Sequence, residues 1–250
     1  IDFGGHRSSG IAAIAYARLK RQLGIRSGDI YVYDMVQQLA IVEPEVLDAV
    51  GADVVELGRA FLLQAADWKD WELPDGTPCK IQSCVHPVRV GNDWHIYHDD
   101  GTLMAVQRHG CLYFEQTCFP LMDSDDQAFD RLSVPLDKVM WSAIGSPPAP
   151  IGYDPAGLKQ LTAGARALRR STDRAIIGLF GGNLLEIGQF LFRNDNFFML
   201  LAGEPARAHR FLDKLVEMHL TNLEKFLSAV GPYIDIILFG DDLGMQTGPM

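Results

Sequence analysis

Apolar positions along this chain follow two spacings, and the spacing changes near residue 68 and again near residue 121. In residues 1–63, a strand-like Ile1-Asp2-Phe3 and a Ser9-Gly10 turn precede Ile11, Ile14, Ala15, Leu19 and Leu23. These five fall at the 3.6-residue interval of one helix face. Pro44 sits in the first turn of a short helix that Gly51 closes, and Asp53-Val54-Val55-Glu56-Leu57 reads as a short strand. Residues 68–120 differ. Turn signals at Pro74-Asp75-Gly76, Gly91-Asn92-Asp93 and Asp99-Asp100-Gly101 separate short runs rich in Val, Ile, Tyr, Trp and Thr. That pattern predicts an antiparallel meander. Its apolar content is small, so it is read as a β-rich insertion rather than a domain of its own.

Residues 121–171 carry an acidic stretch at 123–130 and the loop Ser146-Pro147-Pro148-Ala149-Pro150. Asp154-Pro155 then opens a helix, Asp as cap and Pro in the first turn, with Leu158, Leu161, Ala165 and Leu168 as its apolar face. The last stretch, from residue 172, has the clearest pattern. Residues 175–180 form the unbroken apolar run of a strand buried on both faces. Gly181-Gly182-Asn183 is a tight turn into a helix, and Gly203-Glu204-Pro205 opens another. Phe211, Leu212, Leu215, His219, Leu223, Phe226, Leu227 and Val230 mark the buried stripe of that second helix, which Gly231-Pro232 stops. Residues 234–239 are the next strand, followed by Gly240-Asp241-Asp242.

Strand, helix, helix, strand implies a parallel crossover. A (β/α)8 barrel and an open doubly wound sheet both fit. The barrel is favoured because polar residues follow successive strands: His6-Arg7, then Asn183, then Asp241-Asp242. Active sites of such barrels lie at strand ends. The chain begins on a strand-like segment without Met and stops just after a strand and turn. The expectation is therefore one partial barrel domain over residues 1–250, truncated at both ends, with the β-rich insertion near 68–120.

Composition narrows the function. In 250 residues, 32 Asp and Glu outweigh 22 Lys and Arg, a net charge of −10. That balance argues against a nucleic-acid groove, which needs a basic stripe. No apolar run approaches the ~18 residues of a membrane span. Four cysteines are too few for a disulfide scaffold, and no signal peptide opens the chain, so a cytoplasmic protein is expected.

Several residues could carry chemistry. Asp241 and Asp242, adjacent acids after a buried strand, could orient a substrate or act as a base; the alternative is a turn whose Asp caps the next helix. Asn183 and the glycines before it could present N–H groups to an anion, or simply make a sharp turn. Arg7, beside His6, could clamp a carboxylate or phosphate, or be a solvated loop residue. Cys79 and Cys84 with His86 suggest zinc. Their spacing along a strand turns the two thiols to opposite faces, which favours inert cysteines. His219, on an apolar stripe, reads as a hydrogen-bonded core residue.

A resemblance rests on Ile1-Asp2-Phe3-Gly4-Gly5, Ser9-Gly10-Ile11, Tyr33-Asp34 and Gln37-Gln38-Leu39-Ala40. Further on it includes Gly51-Ala52-Asp53-Val54-Val55, Pro74-Asp75-Gly76-Thr77 and the closing Asp241-Asp242-Leu243-Gly244-Met245-Gln246. With these the chain resembles the uroporphyrinogen decarboxylase-like family. The resemblance implies a (β/α)8 barrel of which this chain lacks a short first segment and the last third. It also implies one of two activities. The decarboxylases need no cofactor and hold a tetrapyrrole, an intermediate of porphyrin biosynthesis, with an Arg-rich first loop and an Asp after the second strand. The methyltransferases use zinc, typically bound by His-x-Cys and a distant Cys, and exchange methyl groups with corrinoid proteins.

Here the first loop, Gly4-Gly5-His6-Arg7-Ser8-Ser9-Gly10, has one Arg, and Leu57-Gly58-Arg59-Ala60 stands where decarboxylases carry Phe-Ser-Asp-Ile. The tyrosine and serine that decarboxylases place near substrate correspond to Gln189 and Asp241. The resemblance therefore points to a zinc-dependent methyltransferase acting with a corrinoid carried by a partner protein. Asp241 and Asp242 are its expected catalytic residues. His6, Arg7, Asn183, Gln189 and Gln246 are expected to bind substrate, and the zinc ligands to lie beyond Met250. Uroporphyrinogen decarboxylation is the alternative enzyme, and a non-catalytic barrel binding a corrinoid or porphyrin is the second alternative. The expected partners are a small-molecule substrate and a corrinoid protein, with a homodimer allowed, and neither nucleic acid nor membrane.

Overall fold

The computed structural model describes residues 1–139, 151–245 and 248–249. The chain opens on irregular backbone, with a single 3₁₀ turn at Arg7–Ser9. Then follow β1 (Ile11–Ala12), α1 (Ala13–Gln22), β2 (Tyr31–Asp34), β3 (Leu39–Ala40), α2 (Pro44–Val50) and β4 (Val54–Glu56). The β-rich stretch contains β5 (Trp68–Glu72), β6 (Pro78–Gln82), β7 (Val88–Val90), β8 (Asp93–Tyr97), β9 (Leu103–Gln107) and β10 (Glu115–Gln116). Helices α3 (Ser133–Asp137) and α4 (Pro155–Ser171) precede β11 (Ala175–Gly181). The chain continues through α5 (Leu185–Phe192), α6 (Asn194–Gly203), α7 (Pro205–Val230) and β12 (Ile236–Phe239) to a short hairpin, β13 (Gly244–Met245) and β14 (Gly248–Pro249).

Many predicted local signals correspond to elements. Asp154 caps α4, its carboxylate accepting the Gly157 N–H at 2.7 Å, and Leu161 and Ala165 are fully buried beneath it. Gly51 ends α2 in the left-handed conformation. The predicted turns lie between β5 and β6, β7 and β8, and β8 and β9. The loop at residues 146–150 lies outside the described residues. On α1 the buried face differs from the expected one: Ala13, Tyr16, Ala17 and Lys20 point inward, while Leu23 is exposed. Buried polar bonds explain the rotation. The Tyr16 hydroxyl donates to Glu43 Oε2 at 3.1 Å and accepts the Glu43 N–H at 2.8 Å, and Lys20 Nζ reaches the Ser27 carbonyl at 2.6 Å and the same Glu43 carboxylate. Tyr16 and Lys20 satisfy one another's polar groups through Glu43, which an all-apolar face could not do.

The architecture corrects the expected barrel. A (β/α)8 barrel needs one closed parallel sheet in which each strand bonds two neighbours. The described residues instead form three separate larger sheets and the terminal hairpin. The first is mixed, in the order β1-β3-β2-β6-β5, with only β2 and β6 parallel. The second is the antiparallel order β10-β9-β8-β7. The third is parallel, in the order β12-β11-β4. Strand pairing accounts for the difference. Residues 1–3 are not a strand, so no first barrel strand precedes His6-Arg7. Strand β2 bonds β3 and β6 instead of β4, and this draws β5 and β6 out of the expected insertion into the same sheet as β1–β3.

Two cores hold the elements. One lies among the sheets, α1, α2, α4 and the end of α7, with Tyr16, Leu47, Leu57, Ile81, Leu161, Ile176, Phe180 and Phe226 fully buried. The other joins residues 121–139 to α5, α6 and α7, where Phe211 contacts Phe192 edge-on at 5.1 Å and Phe129 at 5.6 Å. In the second core, α5 and α6 pack so closely that a Cβ on Gly188 would lie 2.1 Å from the Phe197 ring. Gly188→Ala should therefore lower stability by roughly 1–3 kcal/mol, although Ala is the better helix former by ~1 kcal/mol. Urea denaturation of both proteins checks this.

Candidate functional site

Because β4, β11 and β12 run parallel, their C-terminal ends share one side of the sheet. Each end carries polar chemistry: Glu56 closes β4, Gly181-Gly182-Asn183 follows β11 and Gly240-Asp241-Asp242 follows β12. Gly181 and Gly182 both take positive φ, +81° and +69°, which lets the chain turn directly from strand into α5.

Asp241 closes that turn. Its Oδ2 accepts the N–H groups of Leu184 and Leu185 at 2.9 and 2.8 Å, and its Oδ1 accepts that of Glu186 at 2.9 Å. These are the donors that the first turn of a helix leaves unpaired, so Asp241 caps α5 from another strand. Asp242, next to it, is exposed. Asn183 is buried, its Nδ2 donating to Glu186 Oε2 and its carbonyl accepting from His219 Nε2 at 3.0 Å. His219 therefore carries its proton on Nε2, and burial holds its pKa below the ordinary value, so it is neutral near pH 7.

The N-terminal segment supplies a cation. Arg7 Nε lies 3.1 Å from Asp34 Oδ2, while Asp34 Oδ1 accepts the N–H groups of Val36 and Gln37 at 3.0 and 2.9 Å. The charge of Arg7 is also felt at Tyr33, Glu56 and Glu186. His6 is used locally: Nδ1 accepts the Ser8 N–H at 3.1 Å and Nε2 lies 3.2 Å from Asp2 Oδ2. Gln189 is one turn beyond Glu186 on α5 and partly exposed. Gln246 lies outside the described residues.

Glu56, Tyr33 and Arg59 line a cavity of about 30 Å³ with Gly4, Ile41, Gly58, Phe61 and Leu62. That is the volume of a single water. Burial dominates the titration of Glu56 and pushes its carboxyl up to about 7, against a Gly58 N–H bond and the charges of Arg7 and Arg59. Burial also raises Glu186, opposed by its Asn183 bond and by Arg7 and reinforced by Asp242 and Asp241. Tyr33 is raised by burial and by Glu56 and Asp34, and burial lowers Arg59, whose Nη2 donates to the Val42 carbonyl.

The cysteines stand apart from this cluster. Cys79 is buried on β6 with its thiol pushed up to about 12, and burial raises the thiols of Cys84 and Cys118. None of these three is an activated thiolate. Among the described residues no three His, Cys, Asp or Glu side chains are placed to share a metal ion. A groove of about 740 Å³ beside the start of α7 is lined by Arg207, Arg210 and Asp126, which pair with one another.

The structure thus brings Arg7, Asn183, Asp241 and Asp242 to one end of the molecule, with His6 next to Arg7 in the chain. It adds Tyr33, Asp34, Glu56, Arg59 and Glu186. Glu56 is the last residue of β4 and the last but one of the predicted strand 53–57, so the strand-end rule that singled out Asp241 also reaches it. Glu186 stands three residues after Asn183, the interval at which a helix-start side chain meets the first turn.

Compared with known proteins, the chain matches no family model, no curated protein and no solved structure. Among the described residues, no helix is long and apolar enough to cross a membrane.

Two stability measurements test the cluster. Glu56 has an ordinary value of 4.5, so between pH 4.5 and about 7 the folded chain keeps a proton that the unfolded chain has released. Stability contributed by this group is therefore complete below 4.5 and is lost as pH rises through about 7. Glu56→Gln should remove that loss and stabilise the protein at pH 8 by about 1–3 kcal/mol relative to its effect at pH 5. Paired thermal melts read it directly. Asp241→Ala should cost about 1–3 kcal/mol at either pH by stripping the cap from α5, visible as a lower urea midpoint.

Proposed function

We propose that this chain holds and protonates the substrate of a methyltransferase that passes a methyl group from a small molecule to a corrinoid carried by a partner protein. The observation that carries this reading is Glu56, a carboxyl pushed up to about 7 at the end of a parallel strand, next to a one-water cavity. A methyl group leaves a heteroatom readily only if that atom accepts a proton as the bond breaks. A carboxylic acid still protonated near neutral pH supplies it. Arg7 and Arg59 keep the conjugate carboxylate in place after the proton has gone. The resemblance to the uroporphyrinogen decarboxylase-like family supplies the methyl-transfer chemistry.

The same site disfavours a polycarboxylate tetrapyrrole. Asp34, Glu186, Asp241 and Asp242 gather there with Glu56, against the guanidiniums of Arg7 and Arg59. A substrate bearing many carboxylates would meet net repulsion.

The test uses the full chain with free cob(I)alamin and a panel of methoxylated and methylated small molecules, following methylcob(III)alamin by its visible spectrum. Transfer should be fastest below about pH 7 and fall as pH rises and Glu56 ionises. Glu56→Gln should slow transfer on the order of a hundredfold or more and abolish that pH dependence. Methyl transfer unchanged in Glu56→Gln would remove Glu56 from the reaction.

A further inference from the structure

The second core carries a groove that no residue of the candidate site lines. One wall is a single helical face. From the 3₁₀ turn Asp126–Arg131 through α3, the side chains of Phe129, Leu132, Leu136 and Val139 point into the core and are at most 4% exposed. The other side of the same segment, at the same helical interval, presents Ala128, Arg131, Val134, Pro135 and Lys138 to the groove. Pro120 and Leu121 form the facing wall. That wall is tied to α5: the Leu121 N–H donates to the Leu191 carbonyl at 2.9 Å, and the Gln116 side chain donates to the Phe190 carbonyl at 2.7 Å. Between the walls lies a space of about 350 Å³, the size of a small-molecule site. Leu121 and Pro135 are buried at its floor, and Val134 at its rim is 59% exposed.

Charge decides what such a groove accepts. The acids from Asp125 to Asp137 are all engaged elsewhere. Asp125 accepts the Gln127 N–H, and Asp126 pairs with Arg207 and Arg210. Asp130 lies 3.3 Å from Lys214 Nζ, and Asp137 Oδ2 lies 3.1 Å from His98 Nε2. Lys138 is matched by Asp100. Arg131 is exposed and makes no ion pair among the described residues. The groove is therefore apolar along its length, with one unmatched guanidinium at its edge. A guanidinium offers a planar fork that fits a carboxylate with two parallel hydrogen bonds. Apolar walls favour a hydrocarbon body. A cation would be repelled by Arg131, and a dianion would find one of its charges uncompensated.

We propose that this groove binds a small amphipathic carboxylate. Its hydrocarbon chain lies against Leu121, Val134 and Pro135, and its carboxylate meets the Arg131 guanidinium. The chain as a whole carries a net charge of −10, so the attraction for an anion is local, and Arg131 sets both the affinity and the preferred sign. Because that contact is at the rim, binding weakens as salt is added. The inference is independent of the methyl-transfer reading, which uses none of these residues.

The probe is sodium octanoate, titrated into the full chain by isothermal calorimetry, with sodium acetate, octanol and octylammonium chloride as comparisons. One octanoate should bind per chain. Acetate lacks the hydrocarbon body, octanol lacks the charge and octylammonium carries the wrong sign, so each should bind about tenfold more weakly or worse. Arg131→Gln should weaken octanoate by about tenfold and bring it level with octanol. Val134→Glu sets a carboxylate in the path of the ligand at an exposed position, so the fold survives and octanoate binding is lost. Arg21→Gln, exposed on α1, should change nothing. Equal octanoate binding in Arg131→Gln, octanol or octylammonium binding as tightly as octanoate, or several equivalent octanoates per chain would overturn the site. So would a dimer on gel filtration that Val134→Glu splits and that binds no octanoate, because a second copy would then fill the groove. Glu56→Gln should leave octanoate binding intact, so the groove and the methyl-transfer reading stand or fall separately.

Discussion

The ion pair between Arg7 and Asp34 fixes the charge balance of the whole site. Asp34 is buried at the end of β2. Its second oxygen takes two backbone N–H groups, so only one oxygen remains for Arg7. Arg7 is thereby anchored at the sheet ends, where its charge reaches Glu56 and Glu186 without neutralising either. Arg59 is the second guanidinium acting on Glu56. Burial outweighs the charges of Arg7 and Arg59 at Glu56 and pushes its carboxyl up to about 7. The acid arises from burial, against the pull of both guanidiniums.

Asp241 shows how the same residue type can be spent on structure. Its two oxygens are taken up by three helix N–H groups. Its position still has consequences for chemistry. By holding the first turn of α5 it places Glu186 beside Asn183, and through Asn183 it couples the site to His219 on α7. The adjacent acids after β12 divide the work: one is a cap and the other is an exposed charge.

Local signals were legible in the sequence wherever one residue decides the backbone. Gly51, Asp154-Pro155 and the turns of the β-rich stretch act through φ preference or a single capping bond, and they fall where the pattern places them. Strand partnership was not legible. Residues 31–34 and 78–82 are far apart and pair in parallel, and nothing in either segment names the other. That pairing, with the irregular backbone of residues 1–3, replaces the expected barrel by separate sheets. The site was half legible for the same reason. Asn183, Asp241 and Asp242 follow strands with clear apolar runs, whereas Asp34 and Arg59 gain their meaning from Arg7 and Val42, which only the fold brings to them. The inward turn of Tyr16 and Lys20 likewise depends on Glu43, beyond the reach of a helical-period argument.

Some positions fit the fold only at a cost, among them Gln38, Trp71 and Arg169 away from the candidate site and three within it. A raised carboxyl at Glu56, an unbonded amide oxygen at Asn183 and an unbonded ring nitrogen at His219 each cost stability. The three lie on β4, just after β11 or on the helix packed over β11, while the second core, with its edge-on phenylalanines, carries none of them. A fold selected for stability alone would place Gln at position 56 and an apolar residue at 219. Retaining titratable and hydrogen-bonding groups against that cost is what a site for proton transfer and polar recognition requires. The second core and the α5 cap offset that cost.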